Sequence, residues 1–155
     1  MLTMSLFLRP HHLLDILRDV GYGIRYEPHA YGHALHLVAE KLVADPDQEI
    51  VFVAAADDIC RPCRHLRADG RCDDTMSLAG KTVSKQAYND ALDRRLSVFL
   101  ELEDGRRMTL REFLGLIRPK LDGLAGVCAH PGEDVHYRKT GLAGASAKFG
   151  GAAGK

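Results

Sequence analysis

The sequence predicts an α+β fold: one helix-rich domain of about four helices with a small β-sheet and a cysteine-bound loop. Three observations carry that expectation. Apolar residues recur at helical spacing in four separate stretches. The run Glu49–Ala55 (EIVFVAA) is a β-rich segment of strand length. Three of the four cysteines fall between Cys60 and Cys72, where they would tie down a loop that is poor in apolar residues. A chain of 155 residues is long enough to bury a core in one domain.

Each element has its own warrant. Thr3–Leu8 is short and apolar and reads as a strand. Pro10 suits a first helical position, and Leu13, Leu14, Ile16, Leu17 and Val20 follow at helical spacing until Gly21. A second helix is expected from Pro28 to about Val43, with Tyr31, Ala34, Leu35, Val38 and Leu42 inward. Glu49–Ala55 then delivers the chain to Asp57-Asp58-Ile59 and the cysteine loop. Ser84 caps a third helix reaching about Leu102, with Tyr88, Leu92, Leu96 and Phe99 inward. Thr109-Leu-Arg-Glu112 is a capping box for a fourth, whose core face is Leu110, Phe113, Leu114, Ile117 and Leu121. Residues 1–140 form the domain in this reading. The Gly/Ala-rich residues 141–155 are expected to be a disordered tail.

Composition excludes several classes. The net charge is zero, which removes any global electrostatic case for nucleic acid. No run approaches the ~20 apolar residues a membrane helix needs, and the apolar opening lacks a basic segment before it. A reducing cytoplasm is therefore expected, not a disulfide framework.

The pattern Cys60-x2-Cys63-x8-Cys72 points two sulfurs of a tight turn at one centre. Pro62 stiffens that turn, and Asp69-Gly70 can bring Cys72 back to the same point. Thiolates so spaced suit zinc or an iron–sulfur cluster. A redox dithiol would open a helix directly after a strand, whereas here a third cysteine and a glycine turn follow. Inert thiols are the remaining reading. Arg61, Arg64, Arg67 and Arg71 interleave with the cysteines, either to surround an anionic centre, to dock an acidic partner, or as a solvated loop. On the second helix as expected here, His29, His33, His36 and Glu40 fall within about 60° of one another. That face can chelate a divalent metal, but it carries no evident orienting partner, and a solvated polar face is preferred.

Arg9-Pro-His-His-Leu-Leu14, followed by Asp57-Asp58-Ile-Cys60-x-x-Cys63 and Gly70-x-Cys72, resembles a family of small bacterial and archaeal proteins of unknown function described as iron–sulfur-binding. The resemblance runs from about residue 5 to about residue 137. It implies Cys60, Cys63, Cys72 and Cys128 as ligands of a [4Fe-4S] or [2Fe-2S] cluster, with zinc as the alternative. Family members often carry further cysteines where this chain has Asp15, Pro131 and residues near Tyr137, so this chain looks like a reduced version with four. The resemblance also draws attention to His11 and His12. Adjacent residues at a helix start point about 100° apart, so one of the two would face the site, with His12 the better candidate. The other reading is a helix-start histidine bonded to backbone.

Three functions follow as expectations. The first is an iron–sulfur protein in electron transfer or redox sensing, with a redox partner protein. The second is a zinc-stabilised binding module. The third, weakest, is a metal-dependent enzyme using His11 or His12, since no catalytic triad order, phosphate-binding glycine loop or paired-carboxylate motif stands out.

Overall fold

The computed structural model describes residues 4–150, which form a single α+β domain. In chain order the elements are β1 (Leu6–Leu8), α1 (Pro10–Gly21), α2 (Leu35–Ala44), β2 (Glu49–Phe52), β3 (Thr75–Leu78), β4 (Lys81–Ser84) and α3 (Lys85–Leu100). There follow β5 (Arg107–Thr109), α4 (Leu110–Ile117), a 3-10 turn (Arg118–Lys120), α5 (Leu121–Cys128), α6 (Val135–Ala145) and a π-helical turn (Ser146–Gly150). Six α-helices thus stand among the described residues, where about four were expected.

β2 is the central strand of a three-stranded sheet. It runs parallel to β1, with Leu6 opposite Ile50 and Leu8 opposite Phe52, and antiparallel to β5, with Glu49 opposite Thr109. Leu8, Ile50 and Phe52 are buried together with Leu13, Leu14, Ile16 and Leu17 of α1, Leu92 and Leu96 of α3, and Phe113 and Leu114 of α4. Each fully buried side chain of this kind contributes roughly 1.5–3 kcal/mol. The expected caps are in place. Ser84 Oγ accepts from the Ala87 amide at 3.1 Å, and Thr109 and Glu112 close a reciprocal capping box.

The departures have local causes. The second helix starts at Leu35, not Pro28. Gly32 adopts a left-handed backbone (φ 77°) that breaks a helix, and His29 and His33 each turn Nδ1 back to accept an amide two residues on, from Tyr31 and Leu35. His29, His33 and His36 therefore share no helix face. β2 ends at Phe52, short of Ala55, because Val53 turns back to Leu8 O and Ala54 to the Asp104 carboxylate. β3 and β4 pair as a hairpin that the sequence reading passed over, with Ala79 and Gly80 both left-handed in its turn. The fourth helix ends at Ile117, short of Leu121, and Pro119 lies in the 3-10 turn that opens α5.

The expected tail is also ordered within the described residues. α6 runs to Ala145 and buries Leu142 and Ala145 completely. Lys148 Nζ reaches Val20 O at 3.3 Å, and Arg111 Nη1 reaches Phe149 O at 2.7 Å. Small residues made the segment look featureless, yet they let it lie against α1. A Cβ built on Gly21 would sit 1.7 Å from Gly141 O, and one on Gly141 would sit 2.4 Å from Arg18 O. No helix among the described residues is long and apolar enough to cross a membrane.

Candidate metal centre

The site forms where the end of β1 meets the chain leaving β2. Asp58 N–H donates to Phe7 O at 2.9 Å, and Phe7 N–H donates to Asp58 Oδ2 at 2.8 Å. This double clasp seats Asp57 beside the first turn of α1. The Asp57 side chain is fully buried, and four donors converge on it. Oδ2 accepts from the Arg9 amide (2.8 Å) and bonds His12 Nδ1 (2.7 Å), while Oδ1 accepts from the amides of Ile59 (3.1 Å) and Cys60 (3.2 Å). One carboxylate thus fixes both the entrance of the cysteine loop and the ring of His12.

From there the loop folds as a small hairpin. Cys63 N–H donates to Cys60 O at 2.9 Å, and Leu66 N–H to Cys63 O at 3.1 Å. Gly70, left-handed at φ 83°, and the Asp69 carboxylate, which accepts the Arg71 amide, turn the chain. Leu66 then bridges Cys72 across the hairpin, as the Asp-Gly turn predicts. The Gln86 side chain of α3 accepts the Cys72 amide at 2.7 Å and ties the hairpin to the helix. Arg61, Arg64, Arg67 and Arg71 are all exposed on its outside. Arg61 pairs with Asp58 and Arg67 with Asp73.

Cys60, Cys63, Cys72, His12, His33 and His65 line a cavity of ≈ 110 Å³ between the hairpin, α1 and the start of α3. His12, Asp57 and Cys60 each bring a donor atom within 4.8 Å of the other two, a group able to hold a metal ion. Two of the histidines are carboxylate-held: His12 by Asp57, and His65 by Asp73 through Nδ1 at 2.8 Å. Binding one ring nitrogen to a carboxylate fixes the imidazole plane and presents the other nitrogen, which is how metal-ligating histidines are oriented. His65 Nε2 is buried and has no hydrogen-bond partner. His33 stacks on His29, ring centroids 4.5 Å apart.

A buried Asp57–His12 pair sets the electrostatics of the cavity. Burial alone would raise the Asp57 carboxyl, but the His12 charge and the hydrogen bonds it accepts hold it well below the usual carboxylate range. Burial alone would lower His12, and the Asp57 charge outweighs that and raises it above 6.5. Cys60 goes the other way: burial, then the Asp57 charge, push its thiol up to about 12. A thiol held so firmly protonated is no nucleophile at neutral pH, which counts against a Cys–His hydrolase reading. A metal ion that displaces the proton would reverse this.

Two of the expected site residues lie elsewhere. Cys128 is fully buried at the end of α5 and does not line the cavity. Its sulfur accepts from Arg138 Nη1 at 3.4 Å, inside a network in which Arg138 also meets Asp15 and Glu133. Cys128 thus stands apart from the three cysteines of the hairpin, which line the cavity together. His11 is also buried, its amide and Nδ1 both 2.9 Å from Asp93 Oδ1, which with Arg9 locks α1 onto α3. Burial, then the neighbouring His12 charge, lower its pKa. Asp57 and His65 escaped the sequence reading. Asp57 acts on residues 45 and 48 positions away. For His65 the signal was present, a histidine between the second and third cysteines with an aspartate directly after the third.

No curated protein and no solved structure matches this chain. The family described as "Protein of unknown function (DUF1284)" matches residues 26–130, from the loop before α2 through the cysteine hairpin to just beyond α5. That span exceeds half the chain and contains all three cavity cysteines, and the chain belongs to the DUF1284 family.

Proposed function

We propose that this protein is a metal-centre protein whose cavity holds an iron–sulfur cluster through Cys60, Cys63 and Cys72, serving electron transfer or redox sensing. The observation that supports a cluster over a single ion is the cavity itself. Three thiols of one hairpin surround ≈ 110 Å³, room for several waters at ~10–15 Å³ each. A lone tetrahedral ion with bonds near 2.3 Å needs less room. When bound, a cluster would supply one-electron redox chemistry. The residues of the chain would do the rest. Asp57 orients His12 beside Cys60, the Gln86 side chain holds Cys72, and the exposed arginines favour an anionic thiolate centre and an acidic redox partner.

A second reading, a structural zinc site, is favoured by one observation: the two carboxylate-held histidines, an arrangement frequent at zinc. Visible absorption and elemental analysis of anaerobically purified protein separate the two. A cluster gives a broad brown band with iron and acid-labile sulfide, and zinc gives neither. Colourless protein with one equivalent of zinc would replace the first reading by the second. Loss of bound metal in Cys60→Ser, Cys63→Ser and Cys72→Ser, and its retention in Cys128→Ser, is expected under both.

A further inference from the structure

We infer that the fourth ligand of this centre is His65 Nε2, so that the hairpin supplies the complete set Cys60, Cys63, His65 and Cys72. This deepens the metal-centre reading and rests on it. The motif becomes C-x2-C-x-H-x6-C, carried by one stretch of chain.

Four observations converge. His65 lines the same cavity as the three cysteines. Its Nδ1 is 2.8 Å from Asp73 Oδ1, so the neutral ring carries its proton there and leaves Nε2 as a bare acceptor. That Nε2 is buried without a partner. A buried polar atom left unsatisfied costs roughly 1–3 kcal/mol, and of the three such side-chain atoms among the described residues only His65 Nε2 belongs to a residue lining this cavity. Finally, Asp73 directly follows Cys72, and the Asp73 amide donates to His65 O at 2.9 Å. The group that orients the imidazole is thus covalently joined to the third thiol, and the hairpin positions ligand and orienter together.

The alternatives are weaker. Cys128 is engaged with Arg138, outside the cavity. Among the described residues His12 and Asp57 are the side chains that bring donor atoms within 4.8 Å of the Cys60 donor, so binding by the hairpin requires Cys63, His65 and Cys72 to draw in. His12, however, comes from α1 and is not among the buried atoms lacking a partner. His33 bonds the Leu35 amide through Nδ1 and has no carboxylate holding it. In this assignment His12 neighbours the centre as a polar contact to the Cys60 side, and a three-sulfur, one-nitrogen set results, a composition suited to zinc and compatible with a cluster.

Cobalt(II) is a suitable probe, because its visible bands report geometry and its sulfur-to-metal charge-transfer band scales with the number of thiolates. Full-length protein, reduced and metal-free, is titrated with Co²⁺ alone. The wild type should give a tetrahedral spectrum with three-thiolate intensity. His65→Ala should weaken binding by at least tenfold and shift the bands. His65→Cys should restore binding with stronger charge transfer, and this gain also shows that the hairpin still folds. Asp73→Asn should weaken binding roughly 10–100-fold, as loss of an orienting carboxylate does. Cys128→Ala, outside the cavity, should keep the wild-type band positions. If His65→Ala binds Co²⁺ with wild-type affinity and spectrum, the assignment is overturned while the metal centre stands. If the wild type takes up no Co²⁺, zinc or iron, the centre itself falls and this assignment with it.

Discussion

Asp57 shows how much a single buried carboxylate can organise. It has no exposed surface, and it meets two backbone amides of the cysteine loop, one of the β1–α1 junction, and the ring of His12. Asp57→Ala would strand these donors, and we expect a loss of about 3–5 kcal/mol, the range for removing one partner of a buried charged group. Urea denaturation with an unchanged slope would measure it. Asp15 is the corresponding residue in the second polar network. Burial alone would raise its carboxyl, but the His130 hydrogen bond and charge and the Arg138 charge hold it well below the usual 3.8. A folded-state value below the unfolded one gives stability that is complete above pH ~4 and is lost as pH falls further. Asp15→Asn should therefore be less stable than the wild type at neutral pH, with the gap closing as pH falls from about 4 to about 2. Melting temperatures across that range would check it, and a constant gap would contradict the linkage. These residues were hard to see in sequence, because a lone aspartate does not show which amides, dozens of positions away, it will satisfy. The cysteines were easy, since their chemistry needs close spacing along the chain.

At the scale of elements, local signals were read correctly and sparse ones were not. Pro10, the Ser84 cap and the Thr109–Glu112 capping box each mark a helix start with a chemical reason confined to a few residues, and all three stand. β5 is three residues long, and α6 is rich in glycine and alanine, so neither offers an apolar period to detect. The glycines make sharp predictions. Gly21→Ala or Gly141→Ala would force a methyl into the facing backbone of α6 or α1. We expect each to cost at least 1–3 kcal/mol. Gly115→Ala is the control: it lies mid-helix in α4 with nothing within 4 Å of the added methyl. It should stabilise by roughly 0.5–1 kcal/mol. Deleting the chain from Leu142 onward should also destabilise. It removes the fully buried Leu142 and Ala145, which at about 2–4 kcal/mol corresponds to a melting temperature lowered by roughly 5–15 °C. A truncated protein that melts like the intact one would show that α6 does not depend on its last turns.

For the molecule as a whole, the α+β class and the single core were legible because hydrophobic periodicity reports on burial. The way the two ends of the chain meet was not, since it depends on close backbone approach and on ion pairs that leave no period. The segment from Asp57 to Asp74 buries only Asp57 and Ile59, so bound metal would take over the role of a core there. Chelation should lower the melting temperature of the loaded protein, and calorimetry with and without chelator would register it. The contact of α1 with α6 has a consequence in time. α1 leaves a ribosome long before α6, and their mutual contact is the most extensive between helices among the described residues. Until α6 emerges, the Gly21 face of α1 has nothing to close against. α1 must therefore wait for a segment more than a hundred residues later, a long-range docking of the kind that slows folding.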